Sequence, residues 1–155
     1  MSAESVVNLD LTPYNIFIVN VALTLKQDVE NLSVGIKEYE SEEFLTLFDW
    51  APAPSGITYK YYGLVSPSMD HQNVTQTVVK FRVLREWIEN NQVENIRLLK
   101  LVAGEWEEVE TEYLSSDNEY DYFTAEMSGF SSILAAAGTQ KPSIFFPVAP
   151  LPIFI

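Results

Sequence analysis

Apolar and polar residues alternate along much of this chain with the two-residue period of β-strands. The clearest case is Asn73–Leu84, where every second residue from Thr77 to Val83 belongs to one face and Lys80 and Arg82 lie on the other. Side chains on a strand alternate between the two faces of a sheet. The segment therefore predicts a half-buried strand.

A second type of segment, Ile16–Leu25, is β-branched and apolar on both faces, which predicts a strand buried from two sides. Further strands are predicted at Leu32–Tyr39, Ile57–Val65, Asn95–Val102, Trp106–Leu114, Tyr120–Met127 and Phe130–Ala136. Short turns such as Ala103–Glu105 join them, and Arg85–Asn91 is the one predicted helix. The pattern predicts an all-β fold, an antiparallel Ig-like β-sandwich with one short helix.

The amino-acid composition limits the classes of molecule that this chain can bind. The chain has 155 residues and a formal net charge of −13, with 47% hydrophobic and 20% charged residues, as expected of one folded domain. Such an acidic protein is repelled by nucleic acids and by anionic membrane surfaces. It has no cysteine, which excludes disulfides and thiolate zinc sites, and no apolar stretch of the roughly 18 residues that a transmembrane helix needs.

Catalytic motifs are missing from the sequence. The chain has a single histidine, no Gly-x-Ser-x-Gly motif and no glycine-rich phosphate loop. We therefore expect neither an enzyme nor a bound cofactor.

One acidic run has oxygen ligands of the kind that suit calcium: Asp117, Glu119 and Asp121. An EF-hand loop that began at Asp117 would need glycine and glutamate where Tyr122 and Ser128 stand. Two interpretations remain, a solvated hairpin turn and a weak calcium site.

Charge is unevenly distributed. Between Leu101 and Gln140 there are nine acidic residues and no Lys or Arg. Three of the acids share one strand face: Glu108, Glu110 and Glu112. Three basic residues lie on the predicted strand Asn73–Leu84 or directly after it: Lys80, Arg82 and Arg85. The two sets either meet head to tail between copies of the chain or are solvated independently.

Two N-glycosylation sequons, at Asn31 and Asn73, suggest an exterior location.

The segment Val78–Gly138 contains several ordered features: a strand that runs into a short helix with Trp87–Ile88, an Asn90–Asn91 helix end, a hairpin with Gly104 and Trp106, and a final pair "FTAEMSGFSSILAAAG". In these features it resembles the PGF-pre-PGF domain of cell-surface proteins from methanogenic and related archaea. The resemblance extends more loosely upstream. It implies a β-sandwich at the archaeal cell surface with no assigned catalytic chemistry.

The resemblance divides the chain into an N-terminal extension (residues 1–15), a β-sandwich (residues 16–138) and a C-terminal arm (residues 139–155). Gly129–Phe130 is expected to form a corner in which the glycine bends the chain and the phenylalanine enters the core. The secretion signal, Thr/Pro-rich spacer and membrane anchor common in that family are not found in this sequence. The arm is therefore the candidate for holding one copy to the next.

The end of the chain, "PSIFFPVAPLPIFI" (Pro142–Ile155), has four of the eight prolines and no charged side chain. Proline has no backbone N–H, so this segment suits neither a central strand nor a helix interior. Its hydrophobic residues are the predicted subunit-binding residues: Ile144, Phe145, Phe146, Val148, Leu151, Ile153, Phe154 and Ile155. The arm either packs on its own domain, enters a groove or sheet edge of a second copy, or is the cut end of a longer protein.

These observations predict an extracellular structural protein that assembles with copies of itself, and with other surface proteins as further candidates, into a filament or surface lattice. Strand donation by the arm is the expected contact. The alternative is a monomeric secreted or cell-surface binding module, associated with calcium or glycans, whose arm packs on its own domain.

Overall fold

The computed structural model describes residues 5–66 and 71–141. In this part of the chain it has nine strands: β1 (Ser5–Asp10), β2 (Ile18–Leu25), β3 (Gly35–Tyr39), β4 (Ile57–Val65), β5 (Val74–Leu84), β6 (Val93–Val102), β7 (Glu105–Ser116), β8 (Tyr120–Ser128) and β9 (Ile133–Gln140). The two α-helices are α1 (Ser41–Leu47) and α2 (Arg85–Asn90). Neither of these helices is long and apolar enough to cross a bilayer.

The nine strands form one curled antiparallel sheet in the order β1-β2-β5-β8-β7-β6-β9-β4-β3. Strand β7 connects its two halves, because residues 105–109 pair with β6 and residues 110–116 pair with β8. The first half contains β1, β2, β5 and β8, and the second half contains β6, β9, β4 and β3. Within the described sheet the two edges are therefore β1 and β3.

Both halves contribute to one shared core. Ile18 and Phe81 from the first half are fully buried in the same cluster as Tyr62, Leu98 and Leu134 from the second. The alternation predicted for β5 is confirmed: Thr77, Val79, Phe81 and Val83 are buried, and Lys80 is exposed. The described chain is mostly β, with antiparallel strands as predicted from the sequence.

The opposite face of the second half is covered by α1 and the loop that follows it. Phe44 stacks on Tyr61 with ring centroids 3.9 Å apart, and Trp106 Nε1 donates a hydrogen bond to the Pro52 carbonyl at 2.7 Å. These residues form a second hydrophobic cluster.

Strand β9 contributes side chains to both clusters. Ala135 and Ala137 belong to the second cluster, whereas Leu134 and Ala136 belong to the shared core. Strand β9 is therefore buried on both faces.

Strand β2 differs from its prediction of two-sided burial. Ile18, Val21, Leu23 and Leu25 are buried, but the residues between them are partly exposed. The β-branched composition of Ile16–Leu25 did not distinguish a strand near the sheet edge from a central one.

Two elements were not predicted. Helix α1 is additional to the single predicted helix, which the structure has at Arg85–Asn90. Strand β1 lies within residues 1–15, assigned from the sequence to an N-terminal extension, and pairs with β2 over its whole length. At the other end β9 runs to Gln140, so the first two residues assigned to the arm are part of the sheet.

The corner predicted at Gly129–Phe130 carries the chain from β8 in the first half to β9 in the second. Gly129 has φ +71°, and its N–H donates to the Thr75 carbonyl at 2.9 Å. Its carbonyl accepts a hydrogen bond from Thr77 Oγ1 at 2.6 Å. Phe130 is partly buried against the shared core, as predicted.

Candidate functional site

The arm residues predicted to bind other subunits, from Ile144 to Ile155, lie outside the described residues. The point where the arm begins is described. Lys141 follows β9, and its N–H donates to the Gln92 carbonyl at 2.7 Å. The chain therefore leaves the sheet beside the start of β6.

A groove of about 680 Å³ lies between the two sheet edges. One wall is formed by β1 and the residues after it, including Leu9, Leu11 and Ile16, and the other by Val34 and Ile36. All five side chains are partly exposed. The curled sheet is continuous through β7 on one side, and on the other it leaves this groove, which we call the β1–β3 groove. Its lining is mostly apolar, and Asn8, Asp10 and Tyr14 are the remaining lining residues.

The shared core is incompletely covered near the β1–β3 groove. Thirteen hydrophobic residues pack against the core while only partly buried, and eight of them belong to β1, β3 or the segments next to β2: Val7, Leu9, Leu11, Phe17, Val29, Leu32, Val34 and Ile36. Strands β1 and β3 each pair with one neighbour only. Apolar surface and unpaired strand edge thus occur at the same place, which is the combination that favours addition of an extended segment.

Two residues beyond Ile36 in the chain, Glu38 of β3 accepts a hydrogen bond at Oε1 from the backbone N–H of Phe17. Burial raises the pKa of Glu38, while this hydrogen bond and the nearby charges of Lys60 and Arg82 act in the opposite direction. Burial also raises the pKa of Tyr62, whose hydroxyl has no hydrogen-bond partner. The hydrogen bond between Glu38 and Phe17 joins β3 to the segment that enters β2, one residue along the chain from Ile16 of the groove.

Two of the three predicted basic residues have partners within the chain. The Arg82 guanidinium lies 4.1 Å from the centre of the Tyr120 ring. Arg85 Nε lies 3.6 Å from Asp121 Oδ1. Lys80 is exposed and makes no ion pair with any described residue. Of the three, Lys80 is the one without a described partner.

The predicted acidic set is divided by the path of β7. Glu108 forms an ion pair with Arg97 in the second half. Glu110 and Glu112 lie opposite β8 on the outer face of the first half, the same face as Lys80 and two strands from it. A head-to-tail contact needs acidic and basic sets on opposite surfaces of a subunit. The geometry favours independently solvated charges instead.

The residues considered for calcium do not converge on one point. Asp117 Oδ1 accepts hydrogen bonds from the N–H groups of Glu119 at 2.8 Å and Tyr120 at 2.7 Å, and Oδ2 accepts one from the Tyr122 hydroxyl at 2.6 Å. These bonds, chiefly that of Tyr122, lower the pKa of Asp117. Asp121 pairs with Arg85 as described above. Asp117 thus accepts the N–H groups that close the turn. Across residues 5–66 and 72–141 no three carboxylate or imidazole groups are close enough to share a metal ion.

The two sequons have different surroundings. Asn31 is exposed, with φ +53°. The side chain of Asn73 is engaged on both sides: Oδ1 accepts from the N–H of Gln27 at 2.9 Å, and Nδ2 donates to its carbonyl at 2.8 Å. A glycan would have to bond the same Nδ2, so the folded structure favours Asn31 as the acceptor.

Sequence reasoning missed the β1–β3 groove because its walls are distant in the chain. The one available signal was the alternation of apolar and polar residues in Ser5–Asp10, which predicts a strand. Nothing local in that signal shows that β1 and β3 face each other.

Comparisons with known proteins yield no relative for this chain: no protein-family model matches it, nor does any curated protein or solved structure. The resemblance to the PGF-pre-PGF domain rests on the quoted residues alone.

Proposed function

We propose that this chain is a non-enzymatic structural subunit of a cell surface that assembles with copies of itself, through residues 142–155, into a filament or lattice. The proposal includes a β-sandwich of the PGF-pre-PGF type, an extracellular location and a glycan at Asn31. The observation that carries it is the incomplete cover of the shared core beside the two free sheet edges. The same chain has fourteen residues without a charged side chain that need apolar surroundings.

The energetics are favourable if most of the arm is buried in the assembly. Eight large apolar side chains contribute about 12 to 24 kcal/mol on full burial, at about 1.5 to 3 kcal/mol each. Association costs an estimated 4 to 15 kcal/mol, and ordering of side chains adds to that cost. A contact that buried only two or three of the eight would contribute about 3 to 9 kcal/mol and would offset only the lower part of that cost, so side chains beyond those few add to the strength of the contact.

The net charge of −13 opposes assembly, because copies repel one another. Added salt screens this repulsion and so favours assembly through apolar residues. Added salt also weakens any contact that is made by ion pairs. Self-association through apolar residues should therefore strengthen as salt is raised. Weaker association in salt would instead support the head-to-tail pairing of acidic and basic sets.

The test compares the full chain with a variant that ends at Lys141, by sedimentation velocity over a range of protein concentrations. A full-length variant with Phe145→Ser, Phe146→Ser and Phe154→Ser is the matched control for length. We expect the full chain to form large assemblies and both variants to sediment as monomers. Equal assembly of all three proteins would overturn the proposal.

A further inference from the structure

We infer that the β1–β3 groove is the acceptor site for residues 142–155 of a second copy of this chain. The inference rests on the proposed function and names the surface that the proposed function leaves open. It links the free sheet edge of one subunit to the arm of the next.

The groove and the arm have matching chemistry. Five apolar, partly exposed side chains line the groove, with Leu9, Leu11 and Ile16 on one side and Val34 and Ile36 on the other. The exposed residues Asn8, Asp10 and Tyr14 complete the lining on the β1 side. A volume of about 680 Å³ is within the range of roughly 300–1,000 Å³ that well-formed ligand sites span. An arm with no charged side chain adds no like charge to a strongly acidic surface.

The spacing of prolines in the arm suits pairing with a single strand edge. Pro142 and Pro147 flank four residues, Ser143 to Phe146, each of which has a backbone N–H. Proline is tolerated in edge strands, where one side of the strand makes no ladder hydrogen bonds. Ser143 to Phe146 can therefore add to the free edge of β1 or β3. Because side chains alternate, Ile144 and Phe146 then share the face that enters the groove.

The start of the arm favours a second copy over the same chain. Lys141 is hydrogen-bonded beside the start of β6, and strands β4 and β3 separate β9 from the groove. The connection between β3 and β4, residues 40–56, leaves and re-enters the sheet at the end where β9 finishes. A path within one chain must pass this connection. Ser143 comes two residues after Lys141, which is about 7 Å of extended chain, whereas β4 and β3 alone put the free edge of β3 about 10 Å from β9. The pairing segment therefore cannot reach the groove of its own chain and needs the groove of a second copy beside the end of β9.

Each copy would then provide one arm and one groove. This is a heterologous contact, because the two surfaces that meet are different. Such contacts continue into open filaments unless their rotation closes a ring.

The absence of cysteine makes site-specific crosslinking a direct test. One full-length protein has Val34→Cys in the groove, and a second, with an affinity tag that changes its mass, has Phe146→Cys in the arm. The two are mixed in equal amounts and oxidised under assembly conditions. Leu11→Cys, on the other wall, is a second groove reporter in case Val34→Cys does not fold. Val6→Cys is the matched control, because Val6 lies on the outer face of β1 and is 64% exposed.

We expect disulfide-linked pairs of tagged and untagged chains from a groove reporter, about tenfold or more above the Val6→Cys control, because a seated arm holds the thiols at about millimolar effective concentration. Linkage no greater than the control for both reporters would overturn the inference. So would an internal disulfide in a Val34→Cys/Phe146→Cys double variant together with no linkage between chains. If truncation at Lys141 abolishes assembly and no groove linkage forms, the proposed function stands and the acceptor assignment fails.

Discussion

The side chain of Asn73 forms two hydrogen bonds with the backbone of Gln27, accepting from its N–H at 2.9 Å and donating to its carbonyl at 2.8 Å. The pair extends the contact between β2 and β5 beyond the last residues of the ladder. A residue that belongs to a sequon thus has a structural role.

Replacement of Asn73 by alanine should lower the free energy of unfolding by about 1–3 kcal/mol, since two hydrogen bonds of about 0.5–1.5 kcal/mol each are lost. Urea unfolding followed by tryptophan fluorescence measures the change. Asn8→Ala, at an exposed position on β1, is the control and should stay within about 0.5 kcal/mol of wild type.

Mass spectrometry of natural material should find a glycan on Asn31 and none on Asn73. A glycan at Asn73 would contradict the assignment of Asn31 as the glycan acceptor.

Gly138 lies where β9 passes close to the start of β6. A Cβ at this position would overlap Val93 Cγ1 and lie 2.9 Å from the Glu94 carbonyl oxygen. Gly138→Ala should therefore destabilise the fold by about 1–3 kcal/mol in urea unfolding, the usual cost of overpacking. Gly35→Ala is the control, because the nearest atom to its Cβ would be 3.7 Å away. Addition of Val93→Ala should recover part of the loss; no difference between Gly138→Ala and Gly35→Ala would contradict the packing described.

Burial raises the pKa of Glu38 above its ordinary value, so the folded state holds the proton more tightly than the unfolded state does. The stability that this group contributes is present below the ordinary pKa and is lost as pH rises through the raised pKa. Wild type should therefore lose stability relative to Glu38→Gln as pH increases from about 4.5 to 7. Urea midpoints measured at intervals of pH test this. A constant difference between the two proteins across that range would show that burial does not govern this carboxylate.

Asp117 closes the turn between β7 and β8, and its lowered pKa means that its contribution is present above its ordinary pKa and is lost as pH falls. Asp117→Ala should lower the urea midpoint, and Asp117→Asn should lower it less, because an amide oxygen still accepts from the backbone N–H groups.

Addition of calcium or of a chelator should leave the wild-type urea midpoint unchanged. A midpoint that calcium raises in wild type but not in Asp117→Ala would restore the calcium interpretation.

Much of the sheet could be predicted from the sequence. Strand β4 has the predicted bounds, Ile57–Val65, and β5 differs from its prediction by one residue. Their two-residue periods and the turn residues that flank them depend only on neighbouring positions in the sequence. They can therefore be identified without knowledge of the tertiary structure. Helix α1 was missed although Phe44 and Phe48, four residues apart, both face the second half of the sheet.

The candidate site could not be predicted in the same way. Leu9 and Ile36 line one groove, but only the strand order brings their strands to the two edges of one curled sheet. The curl depends on β7, which changes its pairing partner from β6 to β8 between Val109 and Glu110. Neither relationship has a local pattern. The arm could be singled out from the sequence because its prolines and its lack of charged side chains are visible without the fold, and its role stays a prediction.

Electron microscopy of the purified full chain, beside the variant that ends at Lys141, tests the central claim most directly. The proposed assembly through the arm predicts filaments or ordered lattices for the full chain and dispersed single-domain particles for the truncated variant, whose urea midpoint should match that of the full chain measured as a monomer. Dispersed particles from the full chain, or identical assemblies from both proteins, would contradict it.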